Sequence, residues 1–386
     1  MKIALDAMGG DAAPETTVAG AVRAARELPV EIVLVGRRDA IEQSLSHYPH
    51  RPENLSVVHA SEVIGMDEPP VSSIRKKRDS SINVGVGLLK EKRVGAFVSA
   101  GNTGAVVSAS TLLVGLLPGI ERPGIAILLP GVKGDTLLID VGANVDPKPL
   151  HLIQYALMGE AYVRCVLGKA RPTVGLLNVG EEESKGTDFS RETYGMLEAS
   201  GLNFVGNVEG HDIFSGEFDV IVCDGFAGNV ALKTAESLAH AISVLLKRSL
   251  AMSPITRLGA WLARDAFVQL RKEIDYAEHG GAPLLGVDGV SIIAHGASSG
   301  KAIKNAIRAA YESVRHELNR HMVDAVNLYA QHARSWSPTG KAHSAGTPAP
   351  PPLGAGSAPR GATSRPPIGG DATMPPTAED RGATAG

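Results

Sequence analysis

Three short segments of small, hydrogen-bonding residues follow apolar runs and open onto helical patterns. They are Ser99-Ala100-Gly101-Asn102-Thr103-Gly104-Ala105 after Val94 to Val98, Asp140-Val141-Gly142-Ala143-Asn144 after Thr136 to Ile139, and Asp224-Gly225-Phe226-Ala227-Gly228-Asn229 after Asp219 to Cys223. A strand that stops at such residues and turns into a helix leaves free backbone N–H groups at the positive end of the helix dipole, and that combination attracts an anion. Phosphate is the first ligand to consider. Three such strand ends predict a single site assembled on one edge of a sheet.

The first apolar run leads into Asp6-Ala7-Met8-Gly9-Gly10-Asp11-Ala12-Ala13-Pro14, where a dinucleotide site would carry G-x-G-x-x-G. Two adjacent glycines, two aspartates and a proline at a possible helix start stand there instead, which removes the main support for nicotinamide chemistry. Asp6 and Asp11 read either as site residues or as a helix cap and a turn. After Thr173 to Leu177 comes the polar, glycine-bounded loop Asn178-Val179-Gly180-Glu181-Glu182-Glu183-Ser184-Lys185-Gly186. Its lone Lys185 reads as a cation for phosphate or a developing oxyanion, or as a solvated loop charge. His295-Gly296-Ala297-Ser298-Ser299-Gly300-Lys301 is a further small-residue turn into a helix, with Ser298 or Ser299 as cap and His295 as a donor, a base or a satisfied structural residue.

No G-x-S-x-G elbow is present, and Cys165 and Cys223 fall in runs that read as core. No His, Asp or Glu set has metal-ligand spacing, so no metal and no cofactor are expected. Inorganic phosphate can supply its own attacking oxygen, and the protein then needs a cradle, an oxyanion donor and good positioning. Asn102, Thr103, Asn144, Asn229 and Lys185, with nearby backbone amides, provide that inventory.

These residues must be positioned by an α/β framework. Short β-branched runs (Lys2 to Leu5, Glu31 to Val35, Ser56 to His59, Ala96 to Val98, Ile125 to Leu129, Leu137 to Ile139, Thr173 to Leu177, Asn203 to Val205, Val220 to Cys223) alternate with helical patterns such as Pro14 to Glu27, Val84 to Glu91, Leu150 to Leu167 and Asp188 to Ser200. That alternation predicts a largely parallel central sheet. Long helical patterns follow over Asn229 to Ser249, Pro254 to Ile274 and about Gly300 to Asn319. At 100 degrees per residue, Ile255, Leu258, Leu262, Ala266 and Leu270 share one face and Arg257, Arg264 and Arg271 the opposite one, with Trp261 at a boundary. Such a helix suits an anionic membrane surface, an acidic partner, or packing on the body or on a second copy.

The 386 residues, 44% of them hydrophobic, suffice for a large core. A formal charge of −3 gives no sign of nucleic-acid binding. The start Met1-Lys2-Ile3-Ala4-Leu5-Asp6 reads as a strand rather than a signal peptide, and no apolar stretch is long enough to span a bilayer, so a cytoplasmic location is expected. Near Ser335 the composition turns to Pro, Gly, Ala, Ser and Thr, which predicts a catalytic domain over residues 1–333 and a disordered tail over 334–386.

Taken together, Asp6 to Asp11, Ser99 to Gly104, Asp140 to Asn144, Gly180 to Glu183, Lys185-Gly186, Gly206 to Gly210, Cys223 to Asn229, Gly281 to Gly286 and His295-Gly296 resemble the bacterial phosphate acyltransferase (PlsX) family over about residues 1–330. The resemblance implies transfer of a fatty acyl group from acyl carrier protein to orthophosphate, giving acyl phosphate for a downstream glycerol-3-phosphate acyltransferase in phospholipid synthesis. It implies a Rossmann-like layered sheet similar to the isocitrate and isopropylmalate dehydrogenase fold, with a protruding helical pair. A homodimer held peripherally at the inner face of the cell membrane is implied too. It assigns the family's loop lysine to Lys185 and its amphipathic region to about Ser253–Lys272, with Arg257, Leu258, Trp261, Leu262, Arg264 and Arg271 as membrane or carrier-protein contacts. Substrate contacts are expected from Asp6, Gly9, Gly10, Asp11, Gly101, Asn102, Thr103, Asp140, Asn144, Asp224, Gly228, Asn229 and His295. The competing readings are a metal- and nicotinamide-dependent dehydrogenase of related fold and a membrane-associated scaffold for acyl carrier protein.

Overall fold

A parallel strand covered on both faces must be apolar along its whole length, and the runs Ile3–Leu5, Ile32–Val35 and Ala96–Val98 meet that condition and are buried. The computed structural model describes residues 1–268 and 280–335. Its strands are β1 (Lys2–Asp6), β2 (Glu31–Gly36), β3 (Leu55–His59), β4 (Ala96–Ser99), β5 (Gly124–Pro130), β6 (Asp135–Ile139), β7 (Val174–Leu177), β8 (Phe204–Val208), β9 (Val220–Val222), β10 (Ala282–Leu285) and β11 (Val290–Ile293). They form one sheet in the order β3-β2-β1-β4-β11-β10-β5-β6-β9-β7-β8.

The direction of these strands corrects the expectation of one functional edge. β1, β2, β3, β4 and β11 run parallel to one another. So do β6, β7, β8 and β9. Between them β10 pairs antiparallel with both β11 and β5, and β5 pairs antiparallel with β6. The two parallel halves therefore run in opposite senses, and the loops after β1 and β4 leave the opposite edge from those after β6, β7 and β9. β10 and β11 were not expected as strands. They are four residues each, and Pro283 lacks the N–H that a central strand normally donates.

Helices α1 (Glu15–Glu27), α2 (Arg38–Leu45), α3 (Pro70–Lys76), α4 (Ser81–Lys90), α5 (Thr103–Ala109), α6 (Pro149–Cys165), α7 (Asp188–Glu198), α8 (Gly225–Leu250), α9 (Pro254–Leu262), α10 (Gly300–Arg315) and α11 (Leu318–Ser335) cover the faces. Every residue of α6 from His151 to Val163 is buried, as befits a helix apolar around most of its circumference. The pattern expected to run from Gly300 to Asn319 breaks at Glu317, whose φ of 49° is left-handed, and α11 starts afresh there. The pattern expected over Pro254 to Ile274 breaks at Ala263, so one helical wheel does not carry across it. Its remainder from 269 to 274, with Leu270 and Arg271, lies outside the described residues; of the tail expected over 334–386, Arg334 and Ser335 still belong to α11 and the rest lies outside the described residues too.

From Lys233 onward no described residue of α8 is buried, and none of α9 is. α1 and α10 approach so closely that a Cβ on Gly20 would stand 2.5 Å from Ile303 Cβ. Gly20→Ala should therefore lower the unfolding free energy by about 1–3 kcal/mol through overpacking. Gly87→Ala in α4, where a Cβ meets nothing within 4 Å, should raise it by about 0.4–1 kcal/mol. Urea denaturation midpoints of the two variants check both signs.

Candidate active site

The turn after β6 is organised by a carboxylate. Asp140 is fully buried, and its Oδ1 accepts the N–H groups of Ile125 (3.0 Å), Gly142 (3.1 Å) and Ala143 (2.9 Å), while Oδ2 accepts that of Asn144 (2.8 Å). Burial pushes its pKa up and the four backbone donors oppose that shift. The amides expected to cradle an anion at Asp140–Asn144 are thus already bonded to the protein's own carboxylate. The Asn144 side chain is committed as well, donating to Pro123 O and Tyr155 Oη, both at 2.7 Å.

The start of α8 is closed in the same way. Asp224 caps it by accepting from the N–H groups of Phe226 and Ala227, Gly225 N–H donates to Asn144 O, and Gly228 N–H donates to Asp224 O. Gly228 is required because a Cβ there would lie 2.0 Å from Asp140 O. Asp224 and Gly228 thereby shape the turn rather than offer free donors.

On the other half of the sheet, Asp6 is buried, accepts Met8 N–H at 3.0 Å and Ser99 Oγ–H at 2.7 Å, and has its pKa raised by burial. Ser99 Oγ accepts Gly101 N–H at 3.0 Å. Gly9 permits the β1 turn to sit on this assembly, since a Cβ would stand 2.6 Å from both Asp6 Oδ2 and Gly101 N. Gly10, at φ +108°, lets Asp11 N–H reach Gly296 O at 2.9 Å, and the Asp11 side chain is exposed beside Gly296. Asn102 is a strut: Oδ1 caps α5 by accepting Ala105 N–H, and Nδ2 donates to the carbonyls of Gly65, Met66 and Glu68 at 2.9–3.1 Å. Its side chain is spent on structure, contrary to the expectation that it holds phosphate.

What the structure does bring together is a cavity of about 130 Å³ on the sheet face beside the antiparallel centre. Ile125, Ile127, Val141, Leu232 and Ile293, all part of one hydrophobic cluster, form its apolar wall. Thr103, Asn229, Lys233, Glu236, His295 and Ser298 supply its polar atoms. Three expected residues, Thr103, Asn229 and His295, therefore converge. His295 Nδ1 accepts Ala297 N–H at 3.1 Å, which places the proton of the neutral ring on Nε2. Lys233 and Ser298 were missed. Lys233 stands one helical turn after Asn229 on the same face of α8, a spacing legible in the sequence. It donates to Glu236 Oε2 at 2.8 Å. Ser299, not Ser298, caps α10.

Lys185 does not line this cavity. It sits in the loop after β7, on the sheet edge shared with the Asp140 and Asp224 turns. Its Nζ is 3.8 Å from Glu182 Oε1, and its carbonyl accepts from Asn178 Nδ2. The residues Leu258, Trp261, Leu262 and Arg264 are exposed in or just after α9, while Arg257 Nε donates to Ala251 O at 3.1 Å. Among the described residues no three metal-ligating side chains gather. Neither cysteine is activated: burial raises the pKa of both, that of Cys223 strongly.

The chain, with its mixed sheet, has an α/β fold that other solved structures share. It superposes on a phosphotransacetylase from Streptococcus pyogenes with a TM-score of 0.57 at 17% identity, covering 82% of this chain and 94% of that one. It also matches a branched-chain phosphotransacylase from Enterococcus faecalis V583 with a TM-score of 0.51 at 13% identity, over 82% and 99% of the two chains. Residues 1–321 match the family described as "Fatty acid synthesis protein". The chain is 50% identical over 335 residues to the phosphate acyltransferase of Geotalea uraniireducens, covering 86% of this chain and 97% of that protein. With that of Heliobacterium modesticaldum it shares 54% over 315 residues, 81% and 94% of the two. The chain belongs to this family of fatty acid synthesis proteins and is an acyltransferase.

One clamp beside the cavity has a pH signature. Glu68, whose carbonyl Asn102 holds, accepts from Lys77 Nζ, Gly65 N–H and Ser73 Oγ–H, and these partners pull its carboxyl from 4.5 to about 2. A carboxyl with a lowered folded pKa adds stability above its ordinary value and loses it as pH falls through the folded value. Limited proteolysis of segment 65–78 should show Glu68→Gln more susceptible than wild type above pH 4.5, with the difference shrinking towards pH 2.

Proposed function

We propose that this acyltransferase moves a fatty acyl group from acyl carrier protein thioester to orthophosphate by direct attack, releasing acyl phosphate. The observation that carries the reading is the cavity whose wall of Ile125, Ile127, Val141, Leu232 and Ile293 ends in the polar group Thr103, Asn229, Lys233, Glu236, His295 and Ser298. An apolar wall suits the first carbons of an acyl chain, and the polar end suits a dianion. A phosphate oxygen attacks the thioester carbonyl, the tetrahedral intermediate collapses, the C–S bond breaks, and the carrier thiolate leaves and takes up a proton. A thioester is already activated, so no acyl-enzyme is required, in keeping with two cysteines held as thiols.

In this reading Lys233 turns from Glu236 to the phosphate, Thr103 Oγ1 and the Asn229 amide orient it, and His295 Nε2–H donates to the developing oxyanion. Lys185 neutralises charge from the rim of the same sheet edge as the Asp140 and Asp224 turns. Asp6, Asp140, Asn102 and Asn144 act through the turns they brace.

The apolar stripes are read as contact surfaces. Leu238, Ile242 and Leu245 of α8 are 54–60% exposed at i, i+4, i+7 spacing and suit a second copy of the chain. Ile255, Leu258, Trp261 and Leu262 of α9 are 58–83% exposed and suit a lipid surface. In this reading the enzyme works at the inner face of the membrane, near a glycerol-3-phosphate acyltransferase that consumes its product. No described helix is long and apolar enough to cross a membrane.

Acyl-phosphate formation from acyl carrier protein thioester at varied phosphate tests the reaction, and no product from the wild type would overturn it. His295→Ala should lower turnover by about 100- to 1000-fold, the scale of one lost oxyanion donor, and Lys233→Ala and Lys185→Ala should each lower it too, in folded protein. Near-normal turnover in any of these variants removes that residue from the mechanism. In liposome flotation, Trp261→Glu/Leu262→Glu should lose vesicle binding, and equal binding by both proteins would exclude α9 as the anchor.

A further inference from the structure

The segment around α3 is built as a platform. From below, Asn102 Nδ2 holds the carbonyls of Gly65, Met66 and Glu68, and Asn83 Nδ2 holds those of Ile74 and Lys77, both at 2.8 Å. Pro70 packs so tightly on α5 that a Cβ on Gly104 would lie 2.5 Å from Pro70 Cγ. Glu68 ties Lys77, Ser73 and Gly65 together from within.

The outer surface is different in kind. Pro69, Pro70, Val71, Ser72, Arg75 and Lys76 line an open groove, with Val71 and Met66 about half exposed. Arg75, Lys76 and Arg78 are exposed and form no ion pair with the described residues, whereas Lys77 is taken by Glu68. Of the neighbouring carboxylates, Asp79 accepts Ser61 N–H, and Asp67 is exposed. This surface borders the cavity, because a Cβ on Gly296 would lie 3.2 Å from Met66 Cε, and Gly296 follows the cavity residue His295.

We propose that the α3 platform is the docking surface for the acidic carrier protein, with Arg75, Lys76 and Arg78 facing its carboxylates and Val71 and Met66 its apolar contacts. This rests on the acyl-carrier reading of the function. Charge complementarity selects the occupant, since a rigid set of unpaired cations around a small apolar groove matches an acidic helix. Position selects it too, because a carrier seated here delivers its thioester past Met66 to His295. The platform also separates two tasks that one helix would otherwise share. Arg257 of α9 is turned to Ala251 O, and Asp265 follows Arg264, so α9 is left to lipid.

The test is fluorescence anisotropy of labelled acyl carrier protein titrated with full-length enzyme, which needs no turnover. Arg75→Glu/Lys76→Glu/Arg78→Glu should weaken binding by at least about tenfold at low salt and flatten its salt dependence, as expected for lost complementary charges. With a short acyl-pantetheine donor, kcat should match wild type. Unchanged carrier affinity overturns the proposal, as does loss of binding to anionic vesicles with carrier affinity retained. Arg257→Glu/Arg264→Glu should leave carrier affinity intact, and the opposite ranking of the two variants also overturns it. Should the triple variant fold poorly, Arg75→Ala and Lys76→Ala singly must each show a smaller loss in the same direction. A wild type that binds carrier through α3 yet makes no acyl phosphate from either donor would sink the proposed reaction while leaving the docking surface in place.

Discussion

A buried carboxylate surrounded by main-chain donors is the constraint on which the site depends. Asp140 collects four backbone N–H groups from two segments, and so fixes the turn after β6 against the start of β5. Its own carbonyl then packs where Gly228 has no side chain and accepts the Cys223 thiol at 3.3 Å, which sets the direction in which α8 departs. Because α8 leaves in that direction, Asn229, Leu232 and Lys233 reach the cavity. Removing the carboxylate oxygens would leave buried donors without acceptors, each a cost of about 1–3 kcal/mol. Asp6 does the equivalent work for the β1 and β4 turns.

The same carboxylates bear on what a strand end can reveal in sequence. Small residues with an aspartate at a strand end announce backbone amides that need an acceptor, and that much is visible in Asp140 to Asn144. Whether the acceptor is a ligand or the aspartate itself depends on the side chain's direction, which residue types do not encode. Asn102 shows the same ambiguity, since an N-capping residue was foreseeable but its grip on residues 65–68 is a long-range contact. Thr103, Asn229 and His295 were legible as polar residues at turns. Lys233 was overlooked because it sits inside a helical pattern, where a lysine ordinarily signals solvent.

Most of the framework was legible for a simple reason. Runs such as Ile32–Val35 and Ile125–Leu129 are apolar throughout, so they can only be buried strands, and α6 is apolar enough to need cover on most sides. Strand direction was not legible. Each run looks the same read towards either edge, and the reversal between the two halves is imposed by β10 and β11, whose four-residue lengths carry almost no periodic signal. Helix breaks at Ala263 and Glu317 escaped for a related reason, since neither position carries the glycine or proline that usually marks one.

The place of β10 and β11 has a consequence for how the chain is made. β4 and β5 are complete by Pro130, yet they are joined only through strands that begin at Ala282. Until that late hairpin arrives, the nascent chain holds two partial sheets with unpaired inner edges, the kind of surface that recruits other strands. Synthesis at about 5–20 residues per second makes this a wait of seconds on the ribosome. The central seam of the sheet is thus the last part to close, and the cavity, whose wall includes Ile293 from that hairpin, cannot exist before it does.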